Sequence, residues 1–243
     1  MQFDGRGILL DIEGTTSSVS FVYDQMFPFV RRELVNFLTA NWEQAEVAEA
    51  CDRIAKDTGA DSLADWCGES STAGDRRQKV QDEVVRLMDN DVKATGLKAL
   101  QGLIWKSGFE SRELIAHLYD DVVPAMRSWF KLGIDLRIYS SGSIGAQKLF
   151  FGHTEYRDLT PLFSEHYDTT IGSKKESESY VRIVESFGLP AEQILFVSDV
   201  PAELDAAKDA GMRTALSIRP GNAEVDPDHG HPEIRSFADI VVG

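Results

Sequence analysis

The chain has 243 residues, 42% hydrophobic and 27% charged, which suits one large α/β domain or two smaller ones with a well-buried core. Its 25 Lys and Arg stand against 40 Asp and Glu, a net charge of −15. That balance argues against nucleic acid or an anionic membrane as the main partner, because no cationic surplus can offset their phosphates.

A phosphate-bearing substrate would therefore need local positive charge, from a divalent metal and a well-placed lysine. Neither a leader pattern nor an apolar run of membrane-spanning length is found, so a cytoplasmic protein is expected. Two cysteines, Cys51 and Cys67, are too few and too far apart for a disulfide framework or zinc ribbon. Both are expected as small buried hydrophobes of a reducing compartment.

Residues 8–10 form an apolar run without polar alternation, the pattern of a fully buried strand in a parallel sheet. The run ends in Asp11, followed by Glu13, Gly14, Thr15 and Thr16. Ligands of open α/β sheets bind at the carboxyl ends of strands, so Asp11 is expected at the edge of a cleft. Gly14 allows a tight turn there and close approach of a ligand.

Residues 21–38 carry the apolar spacing of an amphipathic helix, with Pro28 kinking it or marking its true start. Further helices are predicted between 43 and 91, one acidic through Ile54 and a long one over 73–88. A helical period over 97–109 is expected to end at Ser107-Gly108. Trp105 and Phe109 are read as core of this region, and Glu43, Glu46, Glu49 and Asp52 as a solvated helix face.

From residue 122 the pattern alternates. A helix over 122–132 precedes a strand over 134–139 that stops at Ser140-Ser141-Gly142-Ser143, and a helix with Gln147, Leu149 and Phe150 follows. A strand-like piece runs from His166 to about Ile171. A helix over 176–187 is stopped by Gly188 and Pro190. Residues 194–197 form a buried strand ending at Ser198-Asp199, and a helix over 202–210 closes at Gly211. The last strands are placed at 213–218 and 240–242. Such alternation predicts an α/β fold, a doubly wound parallel sheet with right-handed crossovers and an inserted all-helical cap domain. The core is expected over 1–19 and 111–243, and the cap, over the carboxyl edge of the sheet, at 20–110.

Four segments that follow strands then present polar groups: Asp11, Ser140 or Ser141, Lys174 and Asp199. Singly, the serines and Asp199 could cap helices and Lys174 could be a surface lysine. Together they suit phosphoryl transfer. Asp11 would be the nucleophile, splitting one hydrolysis into two easier steps. Asp11 and Asp199 would supply charged oxygens to Mg²⁺, and Lys174 would neutralise the transferring group. Ser140 and Ser141, with the helix N-terminus behind them, offer donors to phosphate oxygens. Glu13 could protonate the leaving oxygen and then activate water.

In this order the residues resemble the four motifs of the haloacid-dehalogenase-like (HAD) hydrolase superfamily, except that Glu13 stands where an aspartate is usual. The fourth motif commonly has a second acid nearby, which is Glu203 here, with Asp205 as the other candidate. More narrowly, Asp11-Ile12-Glu13-Gly14-Thr15-Thr16, Ser140-Ser141-Gly142-Ser143 with 147–152, Lys175-Glu176-Ser177-Glu178-Ser179-Tyr180 and Leu100-Gln101-Gly102 with Trp105 resemble the enolase-phosphatase family of methionine salvage. That resemblance spans almost the whole chain, and Glu13 fits it. It implies a monomer with one Mg²⁺ that enolises 2,3-diketo-5-methylthiopentyl-1-phosphate and then removes its phosphate. Asp11, Glu13 and Asp199 would bind the metal, Glu13 through its side chain or its carbonyl, while Ser140, Ser141 and Lys174 would bind substrate. Asp11 and Glu13 are the catalytic candidates, and Glu13 is the first candidate for moving the enolisation proton.

The rivals are a HAD phosphatase acting on another small phosphate ester, a dehalogenase, which needs no acid at position 13, and a non-catalytic phosphate-binding module. His229-Gly230-His231 lies among Pro220, Gly221, Asn222, Pro227 and Pro232 without further ligands at zinc spacing, so a surface loop is expected there. His117, His153 and His166 are read as packing or surface residues.

Overall fold

Buried strands of four or five residues satisfy their backbone groups by pairing, and in the computed structural model, which describes residues 1–243, they form the centre of one sheet. The strands are β1 (Gln2–Phe3), β2 (Gly7–Leu10), β3 (Asp135–Tyr139), β4 (Glu165–Tyr167), β5 (Ile194–Ser198), β6 (Arg213–Ser217), β7 (Glu233–Ile234) and β8 (Val241–Val242). Six of them form a parallel sheet in the order β4-β3-β2-β5-β6-β7. From β2 the chain builds outward through β3 and β4, then crosses back to lay β5 on the other side of β2. The carboxyl ends of β3, β2 and β5 are thereby neighbours at the topological switch point, where α/β sheets bind ligands.

Side chains of the sheet and its helices, among them Leu9, Tyr139, Tyr180, Ile183, Phe196 and Leu204, form one buried cluster. The helix Ser177–Phe187 ends at Gly188 in the left-handed conformation, as its sequence predicts. Two strand expectations change. The piece after His166 leaves the sheet at Tyr167, because the Asp168 carboxylate takes the amide and hydroxyl of Thr170 and bends the chain. The last strand, β8, pairs with β1 in a separate two-stranded sheet, and the main sheet ends instead in β7. β1 and β7 have two residues each, too few to show a period.

The chain divides into two compact units, Met1–Tyr23 with Ile115–Gly243, and Asp24–Leu114. The junctions lie at 23/24 and 114/115 rather than at the expected 19/20 and 110/111. The second unit is all helical: Phe27–Asn41, Ala45–Asp57, Leu63–Cys67, Ala73–Asp89 and Thr95–Glu110. Pro28 marks the start of the first of these. Its ring cannot tolerate a normal turn against the carbonyl of Asp24, and the preceding residues Val22–Met26 form a wider π turn.

Ser107-Gly108 is not an exit, because the helix runs on to Glu110. The Phe29 ring and Leu114 occupy the space beside Gly108, so the glycine there serves packing rather than termination. The Trp105 indole donates to the Met26 carbonyl at 2.9 Å, and Trp105 and Phe109 are both buried in this unit. Cys51 is buried, which pushes its thiol up to about 12, whereas Cys67 is only half-buried at the end of its short helix. Asp52 does more than solvate a face: its carboxylate accepts the Leu63 amide at 2.7 Å.

Helices Ala45–Asp57 and Thr95–Glu110 touch backbone to backbone at Gly96, where a Cβ would overlap Arg53 and Ile54. Gly96→Ala would ordinarily favour a helix by about 1 kcal/mol. Here it should destabilise by about 2 kcal/mol through overpacking, measured by urea unfolding.

Candidate active site

Asp11 leaves the sheet directly after β2, with its amide still bonded to the Val197 carbonyl of β5 at 3.0 Å. Its carboxylate is buried, and Oδ1 accepts the Ile12 amide at 2.8 Å. The Lys174 Nζ lies 2.7 Å from Asp11 Oδ2 and 2.7 Å from Glu203 Oε2. The Ser198 hydroxyl stands between the same two carboxylates, 3.2 Å from Asp11 and 3.0 Å from Glu203, and accepts the Val200 amide. Glu203 is therefore the second acid of the site. Asp205 is largely exposed and pairs with His231.

Burial opposes the Lys174 ammonium, but Asp11 and Glu203 outweigh it and hold its pKa above the ordinary value. Burial and then the charge of Asp11 raise Glu203, with Lys174 only partly compensating. Asp199 is pushed up to about 7, by burial and then by Asp11. Gly14 has φ +67°, and a Cβ on it would overlap the Asp199 carboxylate, so only glycine lets these two loops meet.

Two carboxylates, Asp11 and Glu203, hold the one ammonium, and Asp199 is the third acid nearby, its pKa raised in part by the charges of Asp11 and Glu203. The missing charge is cationic, and the donors are hard oxygens. No set of three carboxylate, imidazole or thiolate side chains converges, so a cation here would need backbone, water or substrate oxygens as well. That donor set fits Mg²⁺, which keeps water and binds through one or two carboxylates plus phosphate.

Of the serines after β3, Ser140 is buried, donating its amide to the Tyr167 carbonyl and taking the Gly142 amide on Oγ. Ser141 is exposed beside it. Ser143 caps the helix Ile144–Gly152, accepting the Ala146 amide at 3.3 Å. Gln147 reaches back from that helix and donates to the carbonyls of Gly142 and Tyr167, both at 2.8 Å. Its carbonyl faces Nδ1 of His166, whose buried ring, with its pKa lowered to about 4 by burial, stays neutral and donates. Glu13 lies half-buried in the turn two residues past Asp11.

The sequence-based reading missed what holds that turn. The carbonyl of Gly14 accepts Ser217 Oγ at 3.3 Å and Asn222 Nδ2 at 3.0 Å. The carbonyl of Thr15 accepts Arg219 Nε, whose guanidinium grips Asp121 at 3.0 and 2.9 Å between the rings of Tyr119 and Phe237. A signal existed in Arg219, an arginine placed just past a buried strand. The histidine loop is also not a plain surface loop. His231 is buried, bonded to Thr214 at 2.9 Å and Asp205 at 3.1 Å, so it anchors the segment to β6 and to the helix Pro201–Asp209.

An acid at the end of the central strand, a lysine clamped on it and acids after β5 define a hydrolase class. A family model for haloacid dehalogenase-like hydrolases matches residues 6–211. The enolase-phosphatase E1 of Pseudomonas aeruginosa (strain UCBPP-PA14) is 48% identical over 237 residues, covering 98% of each chain. The enolase-phosphatase E1 of Drosophila mojavensis is 41% identical over 236 residues, covering 95% of this chain and 92% of that one. The crystal structure of the UTR4 protein of Saccharomyces cerevisiae superposes with a TM-score of 0.78 at 31% identity, covering 96% of this chain and 99% of that one. The chain belongs to the haloacid dehalogenase-like hydrolases and, within them, to the enolase-phosphatases.

The folded pKa of Asp199 lies above its unfolded value, so its ionisation disfavours folding. The penalty is absent below pH 4 and full above about pH 7. In EDTA at pH 8, Asp199→Asn should therefore be more stable than the parent by on the order of 2 kcal/mol, discounted for the partial exposure of this group. At pH 4.5 the difference should nearly vanish, as urea unfolding at the two pH values would show.

Proposed function

We propose that the enzyme enolises 2,3-diketo-5-methylthiopentyl-1-phosphate and then removes its phosphate, with Asp11 as the nucleophile. The observation that carries this reading is the Lys174 ammonium held against Asp11 Oδ2 at 2.7 Å, at the carboxyl end of the central strand. Kinship with enolase-phosphatases supports the two-step chemistry and the substrate class.

Asp11 attacks phosphorus and the bond to the substrate oxygen breaks, leaving an aspartyl-phosphate. Water then attacks the same phosphorus and frees phosphate and the Asp11 carboxylate. Lys174 holds the Asp11 carboxylate in place at 2.7 Å and offsets charge on the transferring group. The hydroxyls of Ser140 and Ser141 and the amides at the start of helix Ile144–Gly152 offer donors to phosphate oxygens. Glu13 protonates the leaving oxygen, then takes a proton from the attacking water, and it is also the group proposed to move the enolisation proton. Asp11, Asp199 and Glu13 would hold Mg²⁺, which when bound offsets the repulsion between carboxylate and phosphate and polarises the substrate oxygens. Kinship with enolase-phosphatases is also what supports reading the enzyme as a monomer.

The test follows ultraviolet absorbance and phosphate release from the diketone phosphate in Mg²⁺, beside EDTA and Asp11→Asn controls. A conjugated enol formed with phosphate release, and release lost at least about 10³-fold in both controls, is expected. Release from simple phosphate esters with no turnover of the diketone would keep Asp11 as nucleophile and overturn the substrate.

A further inference from the structure

Lys174 sits on a stretch that belongs to no strand or helix, yet its ammonium is placed within hydrogen-bond distance of two carboxylates. What fixes its backbone is a run of side chains on consecutive carbonyls. Arg182 donates to Ile171 at 2.7 Å, Tyr139 Oη to Gly172 at 3.0 Å, Ser179 Oγ to Ser173 at 2.7 Å and Tyr180 Oη to Lys174 itself at 2.8 Å. Three of the four donors ride on the helix Ser177–Phe187, and the fourth stands at the end of β3.

The wholly buried bond among these is that of Tyr180. Its ring is fully buried, with its centroid 5.5 Å from that of Tyr139 and 5.2 Å from that of Phe196. A ring packed on two sides cannot swing, so its hydroxyl marks a fixed point in the core. Phenylalanine would fill the same volume without desolvating a hydroxyl, so packing alone gives no reason for tyrosine here. The hydroxyl has one partner, the carbonyl of the lysine at the site.

We propose that Tyr180, assisted by Ser179 and Tyr139, is a positioning residue for Lys174: it transmits the rigidity of the core to the lysine that holds Asp11. It touches no reacting atom. The proposal rests on the reading of Asp11 and Lys174 as the working pair, and a misplacement of about 1 Å at such a pair can cost about 10²-fold in rate.

Tyr180→Phe should lower kcat about 10-fold or more with a smaller rise in KM for the diketone phosphate, because the donors of Ser140, Ser141 and the helix Ile144–Gly152 still hold the phosphate. Ile183→Val, a core truncation on the same helix, should leave kcat unchanged and so separate positioning from loss of stability. In a Lys174→Met background, Tyr180→Phe should cause no further loss of kcat, since the group it positions is gone. The ¹⁵N signal of the Lys174 ammonium, protected from water by two carboxylates, should be sharp in the parent and broadened by exchange in Tyr180→Phe. A Tyr180→Phe enzyme with parental kcat, an equal fractional loss in the Lys174→Met background or an unchanged ammonium signal would overturn the proposal. If the parent did not turn over the diketone, the substrate reading would fall while the ammonium signal still decided this one.

Discussion

The Lys174 ammonium lies 2.7 Å from both Asp11 and Glu203, and most features of the site follow from what that buried arrangement demands. Removing one partner of a buried ion pair typically costs about 3–5 kcal/mol, because the other charge is stranded. The three groups therefore stand or fall together, though Asp11 lies more than 150 residues from the other two in the chain. The sheet solves the assembly problem. β2 and β5 are hydrogen-bonded neighbours in parallel register, so Asp11 and the Ser198-Asp199 pair emerge at the same level, and the first turn of the next helix carries Glu203 back toward them.

The remaining constraints concern backbone. Gly14 can stand against the Asp199 carboxylate only without a side chain, and its carbonyl is then taken by Ser217 and Asn222. Gln147 does the same work after β3, spending its amide on two carbonyls and its oxygen on a neutral histidine. The loop after β2 and the stretch that carries Lys174 are thus fixed by polar side chains from other segments, and the loop after β3 by the helix that follows it. Such loops satisfy their backbone groups through side chains because no ladder is available to them.

Those links explain what could be read from the residues alone. Asp11 and Asp199 were legible because an uninterrupted apolar run leads to each, and Ser140 because it follows the strand that ends in Ile138-Tyr139; a parallel sheet must put such strand ends side by side. Lys174 was found by its order in the motif series, while the strand expected before it proved shorter, since the Asp168 turn competes locally with the ladder. Ser107-Gly108 misled because a glycine required for contact with Phe29 has the same letter as one required for a turn. Glu203 and Asp205 lie two positions apart, and only the facing of the helix separates the acid bound to Lys174 from the one bound to His231. Arg219 and Asn222 hold carbonyls more than 200 residues away, so their partners could not be read from any local pattern. β1 and β7 are too short to have a period at all.

The burial of Lys174 has a kinetic consequence. Its charge is spent on two carboxylates inside the protein, so little of it reaches solvent beyond a Debye length of about 8 Å. At longer range an anionic substrate meets a chain with a net charge of −15. Its diffusion toward the site is therefore retarded by the protein's own field instead of being guided by it. Added salt weakens that field, so the encounter rate rises with ionic strength, the reverse of an electrostatically steered enzyme.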